Sequence, residues 1–84
     1  MRLIDGEKGF IYEVEKINLD KNVKRRLEAI GMTENSRVFI LNKKRNGAII
    51  VKIRGTRFAL GKKFAEGVEI GGALNWFMTI MSLL

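Results

Sequence analysis

The chain has 84 residues, the length of one small domain, and 46% of them are hydrophobic while 30% are charged. This composition is typical of a folded domain and excludes an intrinsically disordered chain. The net charge is +7, and the absence of histidine and cysteine excludes disulfides, imidazole or thiolate metal sites, and catalysis by a histidine-activated nucleophile.

The N-terminal part of the chain predicts a strand and then a helix. Aromatic and β-branched residues favour a strand over residues 10–14. Either Asn18 or Asp20 can cap the helix that follows, over about residues 21–30. The apolar side chains of this helix recur at helical spacing and predict one buried face, made of Val23, Leu27 and Ile30.

A glycine predicts the end of this helix. Gly31 can adopt the positive φ of a left-handed helix cap, because glycine has no Cβ to clash. In such a cap Met32 packs on Leu27. Residues 33–36 then predict a tight turn, with Asn35 in the third position, where asparagine tolerates a positive φ.

A β-hairpin is the clearest element of the sequence, with strands at residues 37–44 and 48–54. The dipeptide Asn46-Gly47 favours a two-residue type I′ turn between these strands. That turn would place Ile40 opposite Ile53. One face of the hairpin is then apolar and predicts core, made of Val38, Ile40, Ile49, Val51 and Ile53.

The following segments predict two more strands and complete a barrel. Gly55 interrupts the chain, residues 57–60 form a short strand, and a single helical turn leads to a last strand at residues 68–70. About five short strands, tight turns and one substantial helix indicate a mainly β fold, a small and partly open barrel. We therefore assign residues 1–70 to the barrel.

Residues 71–84 predict a separate C-terminal element, a Gly-Gly joint followed by an apolar helix from Ala73. No residue from Ile70 to Leu84 has a charged side chain. Such a helix would extend about 18 Å, which is too short to span a hydrocarbon core of roughly 30 Å. This tail is expected to cover the barrel, to dock on a partner or a second copy, or to lie at a membrane interface.

Positive charge is concentrated in the middle of the chain. Residues 35–65 contain nine Lys or Arg residues and no Asp or Glu. A basic surface of this kind attracts an acidic partner, anionic lipid or nucleic acid, or only keeps the barrel soluble. The carboxylates form no tight cluster, so the sequence predicts neither a metal site nor a cofactor.

Three segments resemble the FeoA family, small cytoplasmic proteins of bacterial ferrous-iron uptake. They are Arg26 to Thr33 (RLEAIGMT), Arg54 to Leu60 (RGTRFAL) and Ala65 to Ile70 (AEGVEI), within a resemblance over roughly residues 3–70. The resemblance implies an SH3-like barrel that associates with FeoB, a membrane iron transporter with a cytoplasmic GTP-binding domain. The chain departs from the family in having Glu34-Asn35 where Pro-Gly is usual, and in its apolar tail.

The predicted function is a non-catalytic adaptor or regulator that binds the cytoplasmic GTP-binding part of a FeoB-type transporter. We expect it to be cytoplasmic, at the inner face of the membrane through that partner. The predicted partner-binding residues belong to the basic outer face and the apolar tail: Arg54, Arg57, Lys62, Leu74, Trp76, Phe77, Ile80 and Met81. The alternatives are a nucleic-acid-binding module, whose affinity would fall steeply with salt, and a protein that self-associates through its C-terminal helix.

Overall fold

The computed structural model describes residues 1–75, and the side chains of residues 1–73. These residues form β1 (Phe10–Ile17), α1 (Lys21–Ala29), β2 (Arg37–Lys43), β3 (Ile49–Ile53), β4 (Thr56–Leu60), α2 (Lys62–Gly67) and β5 (Val68–Asn75). All five strands join one antiparallel sheet in the order β4-β3-β2-β1-β5. The described chain is therefore mainly β, as predicted.

The core lies on one face of this sheet. The five hairpin residues predicted to be core are all buried, each no more than 1% exposed. Strands β1 and β5 add further buried side chains, and Leu27 and Ala65 join them from the two helices. On β4, Leu60 is buried and Phe58 packs against the core while half-buried. The alternation of apolar and polar residues along the strands therefore predicts the inner face of the sheet correctly.

Both ends of α1 are capped as the sequence predicts. At the start, the carboxylate of Asp20 accepts hydrogen bonds from two backbone N–H groups of the first turn. At the end, Gly31 has a φ of 97°. The amide of Met32 donates to the carbonyl of Leu27 and that of Gly31 to the carbonyl of Glu28, both over 3.0 Å. This pair of bonds is a Schellman cap, and it holds the side chain of Met32 in the core.

The predicted turn after the helix is confirmed. Asn35 has a φ of 71°, and the amide of Ser36 donates to the carbonyl of Thr33 over 3.1 Å. The amide of Asn35 donates to the carbonyl of Val14 over 2.7 Å, and that of Val14 to the carbonyl of Ser36 over 2.8 Å. The turn therefore places the start of β2 beside β1.

The turn predicted for the β2–β3 hairpin is wrong. Its loop has three residues, from Arg45 to Gly47, because the amide of Lys44 donates to the carbonyl of Ala48 over 2.8 Å. Gly47 has a φ of 91°, whereas Asn46 does not have a positive φ. A type I′ turn needs a positive φ at both central residues, so this connection is of a different type.

The predicted pairing of Ile40 with Ile53 is also wrong, since Ile40 lies opposite Val51. The three-residue loop shifts the register by one residue, and a bulge at Leu41 shifts it by one more. Two shifts in the same direction restore the alternation of faces, because side chains on a strand have a period of two. The core face was therefore predicted correctly from an incorrect register.

The last strand is longer than predicted and contains both glycines of the expected joint. Gly71 pairs with Glu13 and Leu74 with Ile11, with a register shift between these two pairs. Gly72 lies at this shift with a φ of 61°, so the glycines form an irregularity within β5. Residues 73–75, predicted as the start of a helix, are therefore strand. The rest of the predicted helix, residues 76–84, lies outside the described residues.

Candidate interaction site

Arg54 lies in the tight turn that joins β3 to β4. Ile53 pairs with Thr56, so only Arg54 and Gly55 form the connection. Their φ angles are 50° and 82°, which is the backbone of a type I′ turn. The turn type that the sequence predicted at Asn46-Gly47 is thus found one connection later. An arginine at positive φ is uncommon and costs about 1 kcal/mol, so its surroundings must favour it.

The side chain of Arg54 lies on the C-terminal end of α1. A methyl group at the Cα of Gly31 would be 3.1 Å from Cδ of Arg54 and 3.3 Å from its Nε, so the two residues are in close contact. The guanidinium is therefore near the carbonyl end of the helix dipole, where a positive charge is favourable. Two signals that are separate in the sequence, the glycine cap and the Arg-Gly pair, meet here.

A groove of about 230 Å³ opens between α1, β4 and α2, and we call it the α1–β4 groove. Its lining is apolar except for one arginine and comprises Val23, Arg26, Leu27, Ile30, Ala59, Leu60 and Phe64. Leu27 and Leu60 are each 5% exposed, while Val23, Ile30 and Phe64 are only half-buried. Because β4 is an end strand of the sheet, the groove lies where the sheet stops.

Three arginines lie in this groove or on the elements beside it. Arg26 lines it, and Arg57 lies two residues before Ala59 on the same face of β4. Arg54 lies against Gly31 at the end of α1, and Gly31 directly follows the lining residue Ile30 in the chain. All three arginines are exposed. An apolar floor with a cationic border suits a protein segment that presents an apolar side chain flanked by carboxylates.

The sequence did not predict this groove. It placed Val23, Leu27 and Ile30 on one face of the helix; Leu27 is buried, Ile30 packs against the core while half-buried, and Val23 is half-buried. The apolar stripe of α1 was the available signal. It shows that the helix packs on something, but not that the packing leaves space beside β4.

Lys62 lies at the other end of the β3–β4 hairpin from Arg54, about 13 Å further along the strands. A methyl group at Gly47 would be 2.8 Å from Cγ of Lys62, so the β2–β3 loop touches the start of α2. This contact brings together five exposed cations, which we call the basic rim: Lys43, Lys44, Arg45, Lys62 and Lys63. The sequence grouped Lys62 with Arg54 and Arg57, and the structure separates it from them.

Ion pairs leave both cationic surfaces free. The described part of the chain contains four, namely the Met1 amino group with Glu69, Arg2 with Asp5 and with Glu66, and Lys24 with Glu34. The hydrogen bond from Arg2 to Asp5 raises the pKa of Arg2. None of these pairs includes an arginine of the groove or a residue of the basic rim.

Of the predicted tail residues, only Leu74 lies in the described part of the chain, where its backbone pairs with Ile11. Trp76, Phe77, Ile80 and Met81 lie outside it. Within residues 1–75 no three carboxylates come together in a way that could hold a metal ion. Neither of the helices described is long and apolar enough to cross a membrane.

Solved structures with the same fold include FeoA proteins. The FeoA protein of Chlorobium tepidum is 25% identical, with a TM-score of 0.77 over 83% of this chain and 68% of that one. The zinc complex of FeoA from Stenotrophomonas maltophilia, described as a prokaryotic SH3 domain protein, is 28% identical, with a TM-score of 0.72 over 84% of this chain and 89% of that one. The predicted SH3-like fold is therefore confirmed.

The same fold also occurs within a longer regulator. A manganese-dependent transcriptional repressor is 25% identical, with a TM-score of 0.78 over 88% of this chain, which spans 41% of the repressor. No curated protein matches the chain. The sequence model of the FeoA domain matches residues 1–71, which contain α1, the groove, the basic rim and the first half of β5. The chain therefore belongs to the FeoA family, which is associated with iron transport.

Proposed function

We propose that this chain is a non-catalytic adaptor of ferrous-iron uptake that binds the cytoplasmic GTP-binding part of a FeoB-type membrane transporter. The observation that carries the proposal is the FeoA-family match over residues 1–71. The related Stenotrophomonas protein has been put forward as an activating factor of bacterial ferrous iron transport. A chain without histidine or cysteine suits a role that acts on a partner rather than on the metal.

The α1–β4 groove is the surface we assign to the transporter. It is preformed, it is open to solvent, and its apolar floor can receive a side chain of a partner segment. Arg26, Arg54 and Arg57 can then pair with carboxylates on that segment, which gives orientation and speeds association. The predicted residues Arg54 and Arg57 thus belong to the proposed contact. Lys62 does not line the groove and begins α2, at the other end of the β3–β4 hairpin from Arg54.

Two matched substitutions, each replacing an alanine with glutamate, test this assignment. Ala59→Glu places a carboxylate inside the groove, where it competes with the carboxylates of the partner and fills the apolar floor. Ala29→Glu makes the same change at an exposed position of α1 that does not line the groove. Calorimetric titration with the transporter's cytoplasmic domain should show at least about tenfold weaker binding for Ala59→Glu, equivalent to about 1.4 kcal/mol. Ala29→Glu should bind like the unmodified chain.

Two results would contradict the proposal in distinguishable ways. Equal affinity of the two variants would remove the groove from the contact while leaving the adaptor function intact. Failure of the unmodified chain to bind the transporter domain, with or without guanine nucleotide, would reject the adaptor function itself.

A further inference from the structure

The two end strands of the sheet differ in how their outer edges are covered. On β5, Arg2 forms a bridge with Glu69. The amide of Ile70 also donates to the carbonyl of Met1 over 2.6 Å, so the N-terminal segment covers part of that edge. Within the described part of the chain, β4 pairs with β3 alone. Bulges, prolines, charges and covering segments usually protect an edge, and of these β4 has only the charge of Arg57.

Two residues of β4 direct their backbone hydrogen-bonding groups away from β3. The two-residue type I′ turn starts the β3–β4 ladder with a hydrogen-bonded pair at Thr56. Such pairs alternate along an antiparallel ladder with pairs that exchange no bonds. Phe58 and Leu60 therefore bond to β3, whereas the N–H and C=O groups of Arg57 and Ala59 point outward. No hydrogen bond among the described residues uses these outward groups.

The same edge borders the α1–β4 groove. Ala59 and Leu60 both line the groove, although successive side chains of a strand point to opposite faces. A groove that reaches both residues lies along the edge of the strand rather than over one face. A segment added to this edge would therefore direct alternate side chains toward the apolar floor, where Leu27 and Phe64 lie.

The outer face of β4 has a positive charge without a counterpart. Arg57 lies directly opposite Lys52 of β3, in a pair that exchanges no backbone bonds and whose side chains are therefore close together. Like charges at such positions destabilise a sheet. No ion pair among residues 1–75 includes either residue. A carboxylate opposite Arg57 on an added strand would share its face and offset this repulsion.

We propose that an extended, acidic segment of the transporter binds β4 as a sixth strand of the sheet. This inference rests on the adaptor function proposed above and specifies the conformation and chemistry of the partner. The residue of the segment opposite Arg57 is acidic, and its neighbours in the segment are apolar and point into the groove. The backbone groups of Arg57 and Ala59 exchange up to four hydrogen bonds with the segment.

A second copy of the chain fits this edge less well. Pairing of β4 with the β4 of another copy would bring two Arg57 side chains to the same face of adjacent strands, with Lys52 beside each of them. The net charge of +7 on each copy adds further repulsion. An acidic segment removes repulsion at the same place, which favours it as the occupant.

Amide hydrogen exchange, followed residue by residue by NMR, tests the added strand directly. In the free chain the amides of Arg57 and Ala59 should exchange fast and those of Phe58 and Leu60 slowly, because only the latter two bond to β3. Addition of the transporter's cytoplasmic domain should slow exchange at Arg57 and Ala59 by at least about tenfold.

Each contrary result of this measurement has a distinct meaning. Binding without slower exchange at Arg57 and Ala59 would overturn the added strand and leave the adaptor function intact. Failure to bind the transporter domain would reject the adaptor function and the added strand together. Protection of the two amides that rises with the concentration of the chain alone would assign the edge to a second copy and overturn the proposal.

Two variants of equal side-chain size test the outward N–H of Ala59. Ala59→Pro and Ala59→Val both add two carbon atoms, but only proline removes the N–H. Because this N–H is not part of the β3–β4 ladder, proline is compatible with the strand. Ala59→Pro should bind the transporter domain at least about tenfold more weakly than Ala59→Val in calorimetric titration. Equal affinities would overturn the proposal, and the exchange measurement on the unmodified chain decides the question if Ala59→Pro does not fold.

Discussion

At the scale of single residues, the contact between Gly31 and Arg54 joins the helix to the hairpin. Gly31 supplies a positive φ that ends α1, and its missing side chain makes room for the stem of Arg54. Arg54 itself takes an unfavourable positive φ in a two-residue turn. Its position at the carbonyl end of α1 offsets that cost in part, since the helix dipole favours a cation there. The missing side chain of Gly31 therefore explains how Arg54 can lie so close to the helix end. The position of Arg54 at that end in turn explains how its positive φ is tolerated.

Gly31→Ala should destabilise the protein by two separate effects. The first is backbone strain at a φ of 97°, about 1 kcal/mol. The second is steric crowding, because the new methyl group would lie 3.1 Å from Arg54 Cδ and 3.2 Å from Ile53 Cγ2. We expect a total loss of about 2 kcal/mol in the free energy of unfolding, measured by urea denaturation.

Gly9→Ala is the matched control for this prediction. Gly9 has a φ of 88°, but a methyl group there would meet no atom within 4 Å. It should therefore show the strain alone, about 1 kcal/mol. If Gly31→Ala and Gly9→Ala lose equal stability, the contact between residue 31 and Arg54 contributes nothing measurable to the free energy of unfolding.

At the scale of elements, the β2–β3 hairpin shows why a face can be predicted without its register. The apolar alternation of β2 and β3 depends only on the parity of the pairing, because successive side chains point to opposite sides. The loop length and the bulge at Leu41 change the partner of Ile40 by two residues and leave the parity unchanged. Neither the third loop residue nor the bulge has a strong local signal, since Asn46-Gly47 is compatible with both types of connection.

The extent of β5 predicts which truncations the fold tolerates. A chain ending at Ile70 loses the pairs of Gly71, Leu74 and Asn75 with β1, whereas one ending at Asn75 keeps them. At about 1 kcal/mol for each backbone hydrogen bond, the shorter chain should be about 2–3 kcal/mol less stable than the longer one. Thermal or urea unfolding of the two chains measures this difference. Coincident unfolding curves would mean that residues 71–75 add no stability to the sheet.

At the scale of the whole molecule, the α1–β4 groove and the basic rim adjoin but share no residue. The α1–β4 groove uses Ala59, Leu60 and Phe64 around the β4–α2 connection, and the basic rim uses Lys62 and Lys63 between them. Side chains that are nearly consecutive in sequence thus serve two surfaces, because the start of a helix turns successive residues in different directions.

The sequence by itself determined most of the elements and the inner face of the barrel, although it predicted a helix where β5 continues over residues 73–75. The cap at Gly31, the turn at Asn35 and the alternation of the hairpin strands depend on residues close together in the chain, and such short-range effects can be read locally. The three segments that resemble the FeoA family are likewise continuous stretches. Absence of histidine and cysteine already limited the chemistry available to the chain.

Only the tertiary structure decided where the surfaces lie. The contacts of Arg54 with Gly31 and of Lys62 with Gly47 join residues far apart in the chain, and their strength depends on how strands and helices pack. The groove beside β4 is a space between packed elements, and no pattern of residues in the sequence predicts it. The basic rim likewise exists because folding brings together the β2–β3 connection and the start of α2, which the sequence keeps apart.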